Sequence, residues 1–193
     1  MDLTLSPRER DLKARAKAFA ETWLFPQEER LEDEGHLPAE TRDRLRRAVV
    51  EAGFNAINHK PDVGGQGLSF LEQALVNEEL GKATGGLWAV VWHPALPLKD
   101  GTPAQIERYL RPARLGQRRA CFAITEKNAG SDPSLVETRA DRRDGRYYLT
   151  GEKWFVTSGD VCDFILVHAP DDGGPKKPTD FLVDKNLPGV REG

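Results

Sequence analysis

The chain has 193 residues, 38% of them hydrophobic and 31% charged, the balance of a globular protein and too apolar for a disordered one. Its 28 Lys and Arg against 31 Asp and Glu give a formal charge of -3, which excludes a basic field able to grip a nucleic acid. The N-terminal stretch lacks the apolar core of a signal peptide, and no segment approaches the roughly 20 apolar residues of a membrane span, so a cytoplasmic location is expected. Cys121 and Cys162 make no zinc or disulfide-framework spacing and read as reduced, buried thiols. His36, His59, His93 and His168 are scattered, so no metal site is expected.

In chain order, the first 116 residues predict helices. Ser6-Pro7-Arg8-Glu9 supplies an N-cap, a proline in the first turn and a capping glutamate, and Leu12, Ala16, Phe19 and Trp23 follow at helical spacing until Phe25-Pro26 stops the run. A second helix starts near Pro38, carries Leu45, Ala48, Val49 and Ala52 on one face, and meets Gly53 as its left-handed stop. Ser69 and Glu72 cap a third, which Gly81 closes. A fourth is expected over 87–95. Thr102-Pro103-Ala104-Gln105 opens a fifth, with Ile106, Tyr109 and Leu110 inward and Pro112 at its end.

From Arg119 the period becomes strand-like, which places a domain boundary there: a helical domain over 1–116 and a β domain over 117–193. Strands are expected at 119–124, 136–142, 146–150, 153–157, 162–168 and 179–184. Asp144-Gly145 predicts a tight hairpin turn. Asp171 to Pro175 predicts a mobile loop, and Asn186 to Val190 a turn entering a further strand, so the sheet is expected to be incomplete.

Two segments carry chemistry. In Phe122-Ala123-Ile124-Thr125-Glu126-Lys127-Asn128-Ala129-Gly130-Ser131-Asp132 an apolar strand runs into a small polar turn, where outward N–H groups, Gly130 and the Ser131 hydroxyl could hold a phosphate. In Gly151-Glu152-Lys153-Trp154-Phe155-Val156-Thr157 an outward aromatic with a threonine two positions on could flank a flat heterocycle. On residues alone, an ordinary strand-loop junction and a packed core aromatic stay open as readings of these two segments.

Together the segments resemble the signatures of the acyl-CoA dehydrogenase family: T-E-K-N-A-G-S-D at 125–132 matches its T-E-x-x-A-G-S-D, and G-E-K-W-F-V-T at 151–157 its G-x-K-x-[WFY]-[IV]-T. Gly64 to Ser69, Glu78 to Gly81 and Gly101 to Gln105 resemble its helical N-terminal domain, and Phe181 to Gly189 its F-x-V-x-x-x-x-P-G segment. The implied fold is α+β: an all-helical N-terminal domain, then an incomplete antiparallel, barrel-like middle domain, with the family's C-terminal four-helix domain absent.

The implied cofactor is FAD. Phe122, Ile124 and Thr125 would line the flavin, Gly130 and Ser131 would contact the pyrophosphate, and Phe155, Val156 and Thr157 would complete the site, with Thr157 donating near flavin N5. Ser131 also matches a position that touches the acyl-CoA substrate. Lys127 stands where the family usually has proline and Phe155 where tryptophan is common, which loosens the loop and removes a ring N–H donor. The implied activity is α,β-dehydrogenation of an acyl-CoA with hydride transfer to FAD and on to an electron-transfer acceptor, in a homo-oligomer where a full-length form exists. No catalytic residue is assigned, because the family's glutamate base belongs to the C-terminal domain; Glu126 matches a position beside the flavin loop instead. The chain alone is therefore expected to bind flavin weakly or not at all and to be inactive. A related acyl-CoA oxidase or flavin monooxygenase, and a non-catalytic module without cofactor, are the competing readings.

Overall fold

A computed structural model describes residues 4–88, 90–91, 93–171 and 177–193. The chain divides into two compact units, Met1–Gln117 and Arg118–Gly193.

In the first unit, α1 (Pro7–Phe19) starts at the Ser6–Glu9 capping box and buries Leu12, Ala16 and Phe19. The path does not stop at Phe25-Pro26 as the sequence suggested. It widens into a π turn at Ala20–Leu24, tightens into a 3-10 turn at Phe25–Gln27 and continues as α2 (Glu28–Glu34), a helix the sequence reading omitted. Pro26 lies in the first turn of that new segment, where its missing N–H costs little. α3 (Ala39–Glu51) buries Leu45, Ala48 and Val49, and Gly53 at φ 77° turns the chain out of it. α4 (Phe70–Leu80) opens on the Ser69–Glu72 capping box. Arg8 and Lys13 of α1 reach Glu72 and Glu78 of α4 at 2.6 and 2.8 Å, pairing charges at the edge of the apolar contact between these helices.

The fourth expected helix is displaced. α5 covers only Gly85–Trp88, residues 93–95 are irregular, and Leu96–Asp100 form a 3-10 turn; residues 89 and 92 lie outside the described set. Pro94 brings no N–H to a helix, and its carbonyl instead accepts from Asn58 Nδ2 at 3.2 Å and pairs with His59 Nε2 at 3.0 Å. The last helical run starts as expected at the Thr102–Gln105 box with α6 (Pro103–Gln105). It passes through a π turn at Ile106–Leu110 into α7 (Arg111–Arg114), so Pro112 lies inside the path and does not end it. Among the described residues no helix is long and apolar enough to cross a membrane.

The second unit is a five-stranded sheet of β1 (Ala120–Ala123), β2 (Arg139–Arg143), β3 (Arg146–Thr150), β4 (Phe164–Asp171) and β5 (Lys177–Asp184). A helical part followed by a small sheet domain is the architecture expected. The sheet, however, is mixed and does not close: β2–β3 and β4–β5 are antiparallel, whereas β1 runs parallel to β4 from Ala120–Phe164 to Ala123–Val167, and β2 meets β4 at Ala140–Asp171. Asp144 and Gly145 take φ of 51° and 73°, the left-handed pair that a tight hairpin between β2 and β3 requires. Of the loop expected at Asp171 to Pro175, Asp171 ends β4 and residues 172–176 lie outside the described set.

β1, β4 and β5 fall within a few residues of the expected strands, and two larger differences have identifiable causes. Residues 136–138 stay out of β2 because the N–H groups of Glu137 and Thr138 are taken by the Glu126 carboxylate at 2.7 and 3.1 Å. The expected strand at 153–157 does not form: Trp154 N–H donates to Thr125 O at 2.8 Å, and Phe155 then adopts φ 54°.

Candidate functional site

The two signature segments meet in the second unit. After β1 the chain turns at 126–129, where Glu126 N–H donates to Ala129 O and Ala129 N–H returns to Glu126 O at 3.0 and 3.2 Å. Gly130, Ser131 and Asp132 emerge from that turn exposed to solvent. The N–H groups of Gly130 and Ser131 and the Ser131 hydroxyl have no hydrogen-bond partner among the described residues. A Cβ added to Gly130 would meet nothing within 4 Å. This is an open row of donors. An exposed row of this kind suits an anion such as a pyrophosphate, which needs N–H donors and room to approach the main chain.

The second segment is sutured to the first by a buried ion pair that the sequence reading did not assign. Lys153 Nζ donates to Glu126 Oε1 at 2.8 Å and to Ile124 O at 2.9 Å, and the two side chains are only 10% and 8% exposed. The other lone pairs of Glu126 are filled by Glu137 N–H, Thr138 N–H and the Thr138 hydroxyl. Burial pushes the Glu126 carboxyl upward, but the bonds from Lys153, Thr138 and the two backbone N–H groups outweigh it and hold the acid at about 2. A carboxylate so fully committed is an anchor and a poor proton acceptor. The signal was present in the sequence, since Glu126 and Lys153 are fixed letters of the two signatures, but nothing in their spacing announced that they touch.

Gly151 belongs to the same construction. A Cβ there would lie 2.2 Å from Thr138 Oγ1 and 2.8 Å from Thr138 Cα, so a larger residue would push Thr138 away from Glu126.

Around this anchor the candidate residues are placed as follows. Phe122, 39% exposed, points out of β1 between buried Cys121 and Ala123. Ile124 and Thr125 are half-buried, and Thr125 is tied to Trp154 by its carbonyl. Phe155 is 86% exposed in a left-handed conformation that a bulky residue adopts only under constraint; its ring stands 5.8 Å from that of Trp154, nearly edge-on at 81°. Val156 is half-buried, and Thr157 is exposed at the start of a turn that Gly159 N–H closes on Val156 O at 3.0 Å. No hydrogen bond joins Ser131, Thr125 and Thr157 to one another among the described residues. A shallow cleft of about 490 Å³ opens beside Lys127, Asn128, Arg139, Thr150, Glu152 and Trp154, and none of the eight candidate residues lines it.

The ion pair yields two predictions. Breaking it from one side leaves a buried charge or its donors unmatched, so Glu126→Gln and Lys153→Met should each destabilise the second unit by about 3 kcal/mol, and the double variant should cost at least about 1 kcal/mol less than their sum. Hydrogen exchange of the Glu137 and Thr138 amides under increasing urea measures this. Because the Glu126 carboxyl is depressed in the folded state, its contribution is fully present above the ordinary carboxylate range and is lost as pH falls toward about 2. Unfolding midpoints of the native chain should therefore drop between about pH 5 and 2 more steeply than those of Glu126→Gln.

Comparison with known proteins identifies the family. Residues 6–117 match the acyl-CoA dehydrogenase N-terminal domain and residues 121–193 the acyl-CoA dehydrogenase middle domain. The chain is 33% identical to benzylmalonyl-CoA dehydrogenase of Aromatoleum aromaticum over its whole length and 51% of that protein. It is 32% identical to acryloyl-CoA reductase (NADH) of Anaerotignum propionicum, again over its whole length and 50% of the relative. The crystal structure of a glutaryl-CoA dehydrogenase from Mycobacterium smegmatis in complex with FADH2 superposes with a TM-score of 0.84 at 27% identity, covering 96% of this chain and 47% of that one. The chain thus spans about half the length of the relatives it matches. Two matched domains, in order and together reaching from residue 6 to residue 193, place this chain in the acyl-CoA dehydrogenase family.

Proposed function

We propose that the second unit presents one face of an FAD site in a protein that oxidises or reduces the α,β bond of an acyl-CoA thioester. The observation that carries this reading is the pairing of two exposed aromatics, Phe122 and the left-handed Phe155, with the unpartnered donors of Gly130 and Ser131, on segments held together by the Glu126–Lys153 pair. Exposing an aromatic and straining its backbone both cost stability, and a flat apolar heterocycle with an anionic tail would offset both.

In this reading Gly130 and Ser131 hold the pyrophosphate through main-chain N–H groups and the serine hydroxyl, which also meets the thioester arm of the substrate. Phe122, Ile124, Thr125 and Val156 border the ring, Phe155 flanks it, and the Thr157 hydroxyl donates near its N5 edge. Flavin held there would supply two-electron chemistry for the α,β bond of the substrate. A separate electron-transfer protein completes the cycle by exchanging electrons with the flavin. The direction of reaction and the acyl group belong to the whole protein. The relatives include both a dehydrogenase and a reductase by name.

The test is a fluorescence titration of the chain with FAD, with riboflavin as a ring-only control. FAD should quench saturably and bind more tightly than riboflavin, and Ser131→Ala and Thr157→Ala should each weaken FAD binding roughly five- to tenfold, the loss of one hydrogen bond of about 1 kcal/mol. Ser131→Ala should leave riboflavin binding unchanged. Equal affinity for FAD and riboflavin, or no effect of either variant, would contradict the assignment.

A further inference from the structure

Cys121, on β1, and Cys162, at the end of the turn before β4, belong to neighbouring segments, and their Sγ atoms lie 3.4 Å apart although the residues are 41 positions apart in sequence. Both are free thiols, 4% and 6% exposed. Buried thiols usually sit singly among apolar side chains; two in contact across adjacent segments are one covalent step from a cross-link. Reaching bonding distance, about 2.0 Å, requires the sulfurs to close by roughly 1.4 Å.

We propose that Cys121 and Cys162 are an oxidisable pair, forming a reversible disulfide with a hydroperoxide and thereby fixing the 156–162 turn to β1. That turn is otherwise held by hydrogen bonds: Gly159 N–H donates to Val156 O at 3.0 Å and Val161 N–H to Ser158 O at 3.3 Å. The Cys162 thiol donates to Gly159 O at 3.2 Å, and Lys185 Nζ donates from the β5 side to Gly159 O and Asp160 O at 2.9 and 2.7 Å. Oxidation removes the thiol donation and replaces it with a covalent link, leaving the Lys185 bonds in place.

The chemistry balances with hydrogen peroxide as oxidant. One sulfur, as thiolate, attacks a peroxide oxygen, giving a sulfenic acid as the O–O bond breaks and the other oxygen leaves as water. The second sulfur displaces hydroxide from the sulfenic sulfur, which departs as a second water; two thiols are oxidised by two electrons and one peroxide is reduced. Burial, followed by the contact with Cys162, pushes the Cys121 thiol up to about 12, which keeps it protonated at neutral pH. The same burial makes the reaction slow and confines it to small oxidants.

The experiment treats the folded 193-residue chain with hydrogen peroxide, alkylates it under denaturing conditions and analyses the peptides by mass. The expected product is one Cys121–Cys162 cross-linked peptide, lighter by two hydrogens and restored to two alkylatable thiols by dithiothreitol. Deuterium exchange over residues 156–163 should slow at least threefold in the oxidised chain, and no such change should appear in Cys121→Ser or Cys162→Ser. Two thiols still open to alkylation, separate sulfinic or sulfonic products, or a cross-link that leaves exchange over 156–163 unchanged would each overturn the proposal. All of these readouts are independent of flavin, so they stand apart from the cofactor assignment.

Discussion

An ionised carboxylate and an ammonium placed together in a protein interior must satisfy every donor and acceptor they own, and that demand organises the second unit. Glu126 and Lys153 meet 27 positions apart in sequence, and between them they engage Ile124 O, Glu137 N–H and both polar groups of Thr138. Hydrophobic contact could have joined the same segments with looser register. A buried pair of this kind is a weak source of stability compared with apolar packing, but it tolerates no sliding, because any slip leaves a charge desolvated and unmatched. Its contribution is geometric: it sets where the 126–132 turn stands relative to 151–157.

From that constraint the remaining features follow. Residues 136–138 are kept out of β2 because their N–H groups face Glu126, and residues 153–157 do not form a strand because Lys153 and Trp154 are committed to Ile124, Glu126 and Thr125. With Trp154 fixed, the chain reverses through Phe155 in the left-handed region, which leaves its ring 86% exposed. Beyond the Glu126–Ala129 bridge the chain likewise has no ladder to join, and the donors of Gly130 and Ser131 are left facing outward. The exposed face is thus a product of the buried one.

Much of this was legible in the sequence. The three capping boxes at Ser6, Ser69 and Thr102, the left-handed stop at Gly53 and the Asp144–Gly145 hairpin are local devices, set by residues within a few positions of one another, and all appear in the structure. The failures have two other causes. Pro26 and Pro112 were read as stops, yet each enters a new helical turn after a π turn, where a missing N–H goes unnoticed. The strand expected at 153–157 has the alternation and aromatic content of a strand, but its hydrogen bonds are decided by residues nearly thirty positions away. The parallel pairing of β1 with β4 is likewise non-local. The candidate residues were marked by their signatures, whereas the contact between Glu126 and Lys153 and that between Cys121 and Cys162 exist only in three dimensions.

The proposed flavin contacts, Phe122, Gly130, Ser131, Phe155 and Thr157, lie outside the polar cleft beside Lys127, Arg139, Thr150 and Glu152. Titrating the nitrogen-15-labelled chain with FAD and following backbone amide shifts separates them most directly. Perturbations centred on Gly130, Ser131 and Thr157, with Arg139, Thr150 and Glu152 unmoved, are the predicted result. Shifts centred on the cleft, or none at saturating FAD, would contradict the claim that the Glu126–Lys153 pair builds a flavin-binding face.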